Sequence, residues 1–468
     1  MKDYSLCKKV KITVDLSDEK GDFRGYMHAL GHGGINAYPL PPRVVNGLKK
    51  LKPRYIRTFI QEYFRLYRGE GRYDFSLLDP YMRSLAETGA KIVACICFKP
   101  PELFGGAIDQ RKVIPDDVAG WQALVEAVVR RYSVESELVT HWEIGNETDI
   151  GENGGCPYLT ENAGEYSRFY EITANAVLKA FPAAKIGGPA VADGKSPVAE
   201  ELLAFCKRSG RAPDFISWHK YSDIPEEHLE LIDYNRKLLQ KYFPEKRIEM
   251  FVTEMNKGYE KESVEEAAYD PARAACLGAS LIEMLREKDV YTFFYHVWDQ
   301  FVVNGQFDPF YGDPYVMQRY WNEVPIRFGM FGVCGEARPF YFLYAFLAAM
   351  RGKETACRLS DAALKAAAAK DGDDFTLLLV NHGAAEDVVG EVHFENFTDG
   401  CYELSVYRLD KDGGADFERL RAEPRERRYA DFRGKCFFNV FCPAESVALI
   451  VMKKTTAEEI GRAYAAMQ

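Results

Sequence analysis

From about residue 25 to residue 345, short apolar runs alternate with longer segments of helical period, the pattern of repeated βα units around a parallel sheet. The runs at 25–31, 55–59, 92–98, 138–144, 185–188, 215–218, 248–253 and 291–298 read as strands. Between them, 42–51, 77–88, 118–132, 163–181, 198–209, 226–242 and 271–287 read as helices. Asp116 and Asp117 place acidic groups at the positive end of the third helix, and Pro182 stops the fourth. Eight strands is the count that closes a (β/α)8 TIM barrel. Past Arg351 the pattern changes: 375–380, 402–407, 436–441 and 446–452 alternate or are largely apolar, with Gly, Asp and Asn between them, which predicts a C-terminal antiparallel β-sandwich domain. The early run 10–16 has strand composition and is expected to join that sandwich, and 456–467 reads as a short surface helix. The expected division is therefore an N-terminal strand in 1–16, the α/β barrel in 17–350, the sandwich in 351–455 and a terminal helix in 456–468.

Composition adds exclusions. A chain of 468 residues, 47% hydrophobic, buries one large core and leaves room for a second domain. Its 70 acidic and 60 basic side chains give a formal charge of −10, and no basic stripe tracks a phosphate backbone, so nucleic acid is not expected as a partner. The amino terminus carries no unbroken apolar segment of signal-peptide type and no later run approaches membrane-spanning length, so a cytoplasmic protein without a membrane partner is expected. Eleven cysteines, some inside strand-like runs such as Cys95 and Cys97, read as reduced thiols. A homo-oligomer is compatible with this sequence.

Polar residues at the carboxy-terminal ends of barrel strands are the first candidates for chemistry. Glu147, in Trp142-Glu143-Ile144-Gly145-Asn146-Glu147, and Glu254, in Val252-Thr253-Glu254, both meet that condition. Alternation puts Glu143 on the face of Glu147 but deeper in the barrel, where pairing with a cation is expected. His28 and His32 are four apart, yet a strand-like context with no acidic third ligand gives no metal site. Gly31-His32-Gly33-Gly34 also lacks the Lys and Ser/Thr of a phosphate loop.

The chain resembles clan A glycoside hydrolases, and among them glycoside hydrolase family 39, the family of β-xylosidases and α-L-iduronidases. The motifs that carry the likeness are Tyr55-Ile56-Arg57, Phe98-Lys99-Pro100-Pro101, Trp142 to Glu147, Lys185-Ile186-Gly187-Gly188-Pro189-Ala190, Ser217-Trp218-His219-Lys220-Tyr221, Val252-Thr253-Glu254, Phe328-Gly329-Met330-Phe331-Gly332 and Arg338-Pro339-Phe340-Tyr341. The resemblance implies a retaining glycosidase without cofactor or metal, acting on a carbohydrate substrate. Glu147 would be the general acid/base and Glu254 the nucleophile. Such a pair needs one carboxyl protonated and the other ionised, roughly 5–5.5 Å apart. Arg57 would keep Glu254 ionised. Asn146 would bind the sugar 2-hydroxyl. Tyr221 would donate to Glu254, and His219 would bind a substrate hydroxyl or orient Tyr221. His32 would form a wall of the sugar pocket and Trp298 a stacking platform, with the following aromatics Phe301, Phe307, Phe310, Tyr311, Tyr315, Tyr320 and Trp321 closing over the substrate. Gly145-Asn146-Glu147-Thr148 stands where many relatives carry Trp-Asn-Glu-Pro, so β-xylosidase specificity does not transfer automatically and arabinofuranosidase action stays open. The rivals are a carbohydrate-binding protein without turnover, and a Schiff-base aldolase or isomerase using Lys99 or Lys220.

Overall fold

A computed structural model of the chain describes residues 7–34, 36–106, 109–258, 271–287, 289–300, 329–384, 386–413, 415–416 and 419–467. While β1 (Lys8–Asp22) belongs to the carboxy-terminal sheet, the next eight strands close a parallel barrel in strict chain order. They are β2 (His28–His32), β3 (Tyr55–Ile60), β4 (Lys91–Ile96), β5 (Val139–Ile144), β6 (Lys185–Val191), β7 (Phe215–Tyr221), β8 (Glu249–Asn256) and β9 (Val290–Tyr295). The first of these starts later than the apolar run suggests, because Arg24–Met27 forms a 3-10 turn. The last ends at Tyr295, and Trp298 follows as an isolated bridge to Phe331.

Helices α1 (Pro42–Leu51), α2 (Leu78–Ala86), α3 (Val118–Val129), α4 (Ala163–Ala180), α5 (Pro197–Arg208), α6 (Pro225–Tyr242), α7 (Pro271–Met284) and α8 (Pro339–Ala349) surround the barrel. Five of them begin with proline, at a position where the missing N–H is no loss. Asp117 caps α3 and Asn162 caps α4 by accepting backbone N–H bonds from Gly120 and Gly164, each at 2.8 Å. The sequence pattern did not predict α8. Its run Phe340 to Ala349 is apolar almost all round, since the helix is buried between barrel and sheet and has no polar face to set a period.

The carboxy-terminal strands are β10 (Lys353–Leu359), β11 (Lys365–Asp371), β12 (Asp374–Asn381), β13 (Val388–Glu395), β14 (Gly400–Leu409), the short pair β15 (Ala415–Asp416) and β16 (Arg421–Ala422), β17 (Pro424–Phe432), β18 (Cys436–Cys442) and β19 (Ser446–Thr455), followed by α9 (Ala457–Met467). Nine strands form one continuous sheet in the order β17-β14-β19-β12-β11-β10-β1-β13-β18. The sheet folds over on itself: Phe375 of β12 meets Phe394 of β13 with ring centroids 5.8 Å apart, although four places separate those strands. The two-layered character comes from one rolled sheet, and it is not wholly antiparallel, because β1 runs parallel to β13. β1 arrives from before the barrel, so no hairpin fixes its direction. It also continues six residues past Leu16, with register irregularities between Asp15 and Gly21.

Period-2 alternation divides the central strands between two cores. Leu378 and Val380 of β12, Val447 and Leu449 of β19, and Ala367 and Ala369 of β11 pack into the barrel's core. Their neighbours Phe375, Leu377, Leu379, Ala448, Ile450, Ala366 and Ala368 line the interior of the rolled sheet. All eleven cysteines are free thiols. No described helix is long and apolar enough to cross a membrane. The aromatics at Phe301, Phe307, Phe310, Tyr311, Tyr315, Tyr320 and Trp321 lie outside the described residues.

Candidate active site

The floor of the barrel is aromatic. Tyr55, His141, Phe215, Phe251 and Phe293 close it, with Phe215 stacked on Phe251 at 4.5 Å and Tyr55 edge-on to His141 at 5.1 Å. One inward position higher on the same strands, Tyr55 gives way to Arg57 and His141 to Glu143. Arg57, fully buried, donates from Nε to Glu143 at 2.6 Å, from Nη1 to Glu254 Oε1 at 2.9 Å and from Nη2 to Asn146 Oδ1 at 2.6 Å. Burial works against its charge, but Glu143, Cys95 and Glu254 outweigh that and hold Arg57 above its ordinary pKa. Glu143 is thus the deep partner of a cation, and Arg57 is the hub joining the strand ends.

Two backbone devices aim the carboxylates. At the end of β5 the chain turns through left-handed conformations at Gly145 (φ 77°) and Glu147 (φ 44°), the latter uncommon for a residue with a side chain. The turn is pinned by Gly145 N–H to Ile96 O at 3.0 Å and Glu147 N–H to Ala190 O at 2.8 Å. Gly145 is crowded as well, since a Cβ there would stand 3.1 Å from Thr148 and 3.3 Å from Tyr166, so Thr148 and Tyr166 fill the room that a larger residue would need. On β8, Val252 and Glu254 sit opposite the consecutive residues Trp218 and His219, leaving Thr253 as an extra residue. This bulge turns Glu254 to the inward face already used by Phe251, three residues earlier, where simple alternation would send it outward.

Tyr221 donates its hydroxyl to Glu254 Oε2 at 2.7 Å. His219 engages the other carboxyl instead of Tyr221: its Nδ1 shares a hydrogen bond with Glu147 Oε1 at 2.6 Å and lies 3.6 Å from Glu254 Oε2. Atoms of Glu147, His219 and Glu254 all fall within 4.8 Å of one another, the one such His and carboxylate trio among the described residues. A metal there would have to displace the Glu147–His219 hydrogen bond. Neither His28 nor His32 joins a trio of potential ligands among the described residues.

Burial pushes Glu147 up to about 8, with the charge of Asp149 adding and Arg57 opposing. Burial drives His219 down to about 4, so it is neutral near pH 7, and its Nδ1 shares the hydrogen bond with Glu147 Oε1 as an uncharged partner. Burial also raises Glu254, and Glu147 adds to this. With His219 uncharged, Arg57 and the Tyr221 hydroxyl are the groups that restrain the rise. One carboxyl holds its proton against a neutral imidazole; the other faces a guanidinium and a phenol.

Asn146 offers its carbonyl to Arg57, and its Nδ2 reaches Gly154 O at 3.4 Å. Trp298 is half-buried, its Nε1 donating to Val333 O at 3.2 Å and its ring tilted 6.1 Å from that of His32. His32 is fully buried behind it and against Tyr81, where burial lowers it to about 3 and keeps it neutral. Lys99 staples two loops by donating to Asp109 O at 2.5 Å, and Lys220 pairs with Glu227 at 2.6 Å, so both ammonium groups are engaged. Sequence reasoning missed Asp149, which accepts N–H bonds from Ala192 and Asp193 at 3.0 Å and supplies the charge that lifts Glu147. Its signal was an acid two residues past the acid candidate. It also missed Asp299, bound by His296 and by Arg338 at 2.6 Å each, which ties the end of β9 to the start of α8. The Arg338-Pro339 motif gave its cation but not its partner.

A closed parallel barrel whose strand ends hold two unlike, adjacent carboxyls over a buried arginine is the architecture of a glycoside hydrolase. The chain belongs to the glycosyl hydrolases family 39, whose model matches residues 43–374. It is 31% identical over 143 residues to a β-xylosidase of Geobacillus stearothermophilus, a match spanning 30% of this chain and 27% of that protein. A β-xylosidase of Caldicellulosiruptor saccharolyticus is 24% identical over 373 residues, 72% of this chain and 70% of its own. The fold is similar to the crystal structure of a monomeric β-xylosidase from Caulobacter crescentus CB15, with a TM-score of 0.75 and 20% identity over 95% of this chain and 100% of that one.

Proposed function

We propose that this chain is a retaining glycosidase of β-xylosidase type, with Glu254 as nucleophile and Glu147 as acid/base. The observation that carries the reading is the proximity of two unequally housed carboxyls, with oxygens within 4.8 Å. Retaining enzymes hold their carboxyls about 5–5.5 Å apart, and inverting enzymes about 6.5–9.5 Å, to admit a water. In the first step a Glu254 oxygen forms a bond to the anomeric carbon while the glycosidic C–O bond breaks and Glu147 gives its proton to the departing oxygen. In the second, Glu147 takes a proton from water, whose oxygen attacks the anomeric carbon and releases Glu254. The Asn146 amide is the group available to the sugar 2-hydroxyl, and Trp298 offers the ring face for the sugar's C–H face. Kinship with two β-xylosidases supports xylose as the glycone.

The test is a panel of aryl β-xylosides, β-glucosides, α-L-iduronides and α-L-arabinofuranosides, followed by the 2-deoxy-2-fluoro analogue of the best sugar and peptide mapping. The expected label is on Glu254, with the β-xyloside hydrolysed fastest. A label on another residue overturns the nucleophile assignment, and a different preferred sugar overturns the glycone.

A further inference from the structure

Strand β6 breaks its ladder twice, and each break lies against the turn that carries Glu147. On one side it runs parallel to β5, with Trp142 opposite Ile186 and Glu143 opposite Gly187. The next rung would bring the N–H of residue 189 to Ile144 O, but that residue is proline and has none. Ile144 is fully buried and is the last strand residue before Gly145-Asn146-Glu147, so its carbonyl needs a donor from within the protein. Tyr166, buried on α4, supplies it, giving its hydroxyl to Ile144 O at 2.6 Å. Two glycines make room for this side chain: a Cβ at Gly188 would stand 2.5 Å from the Tyr166 oxygen, and one at Gly145 3.3 Å from its ring.

On its other side β6 pairs with β7, and the register slips between Pro189 and Val191, leaving Ala190 out of the ladder in a left-handed conformation (φ 52°). The Ala190 N–H is accepted by Oγ of buried Ser217 at 3.0 Å, and the Ala190 carbonyl accepts Glu147 N–H at 2.8 Å. Two hydroxyls therefore stand in for missing rungs, one at the start of the acid turn and one at its end. The turn in between must keep Glu147 at its 2.6 Å bond to His219 and within 4.8 Å of Glu254. Asn146 is anchored separately by Arg57, and Glu254 rides on β8, so loosening the turn falls first on Glu147. A displacement of about 1 Å can cost roughly 10²-fold in rate.

We propose that Tyr166 and Ser217 are positioning residues for the acid: their hydroxyls fix the two ends of the 144–147 turn and so aim the proton of Glu147 at the leaving oxygen. This rests on Glu147 being the acid/base. The experiment compares Tyr166→Phe and Ser217→Ala with the parent on a disaccharide, whose leaving group needs a proton, and on a 2,4-dinitrophenyl glycoside, whose leaving group does not. Rates are counted per site titrated with the 2-deoxy-2-fluoro glycoside, so misfolded chains do not enter. Tyr166→Phe should lose about 10-fold or more in kcat/KM on the disaccharide, carried by kcat with KM within about 2-fold, and under about 2-fold on the dinitrophenyl glycoside. Ser217→Ala should show the same split at about 3-fold or more, and it decides alone should Tyr166→Phe not fold. Equal losses on the two substrates, or a lowered Tm with kcat/KM unchanged on both, overturn the proposal. Failure of azide to rescue Glu147→Ala would instead sink the acid/base assignment.

Discussion

The two ends of the barrel are built from the same strands and do opposite things with them. At the floor, β3, β5, β7, β8 and β9 turn Tyr55, His141, Phe215, Phe251 and Phe293 into one packed aromatic layer. At the mouth, four of these strands, β3, β5, β7 and β8, deliver Arg57, Glu143, His219 and Glu254, charged or polar groups largely sealed from water with few spare hydrogen-bonding options. The floor is held by non-directional burial, which tolerates adjustment. The mouth is held by directional bonds in a low dielectric, where loss of one partner strands another. Both ends should therefore carry stability, while chemistry should depend on the hub of the mouth and be insensitive to the floor, a contrast that can be broken experimentally.

The largest effect expected is from Glu254→Gln, with turnover falling about 10⁴-fold or more while the fold persists, measured by kcat on the best aryl glycoside. Glu147→Ala should follow, with kcat/KM for a disaccharide falling roughly 10²–10⁴-fold, a smaller loss for activated aryl glycosides, and partial restoration by azide. Next comes a matched pair. Arg57→Met strands Glu143 and Glu254 and should cost about 3–5 kcal/mol in chemical unfolding, together with most activity. Phe251→Ala should cost a similar 3–5 kcal/mol while the surviving folded enzyme retains kcat within about 3-fold. If Phe251→Ala also abolished kcat, floor and mouth would be one functional unit.

The smallest effects concern protons. The profile of kcat/KM should be bell-shaped, falling on the basic side near pH 8 as Glu147 ionises and on the acid side above the usual carboxylate value of 4.5, because burial raises Glu254. The stability sign follows from linkage. Glu147 binds its proton more tightly folded than unfolded, so its contribution is fully present below pH 4.5 and is lost as pH climbs toward about 8. Glu147→Gln should accordingly raise Tm relative to the parent at pH 8 by a degree or more, and by less at pH 5. An equal shift at both values would count against a buried, proton-holding Glu147.

The barrel was legible in the sequence because apolar runs alternate with segments of helical period through its first seven βα units; only the last strand is followed by a helix, α8, without a polar face. The polar residues at the strand ends were legible because a barrel puts its chemistry there. What escaped was set by tertiary context. The Ala366 to Ala369 stretch of β11 favours helix intrinsically, yet it is a strand squeezed between two cores where only small side chains fit both faces. The strand β17 hides behind Arg425, Arg427 and Arg428 because it is an edge of the sheet, where charge is protective. At the site, alternation alone would have placed Glu254 on the wrong face, and the bulge at Thr253 leaves no mark in the sequence. Spacing along β7 offers His219 as a ligand of a substrate hydroxyl or an orienter of Tyr221, and says nothing of the turn that carries Glu147 across to it.

The parallel pairing of β1 with β13, and its antiparallel pairing with β10, has a consequence for synthesis. Ile12 finds Leu359 and Val392 as neighbours only after the whole barrel has emerged. At about 5–20 residues per second, roughly 20–70 s of synthesis separate β1 from the strands that pair with its two edges in the finished fold. During that interval its exposed side is studded with Lys9, Lys11 and Asp15, a charge pattern that discourages pairing with other nascent chains. A strand made before the barrel thus finds its partners only after the barrel, when β10 and β13 arrive.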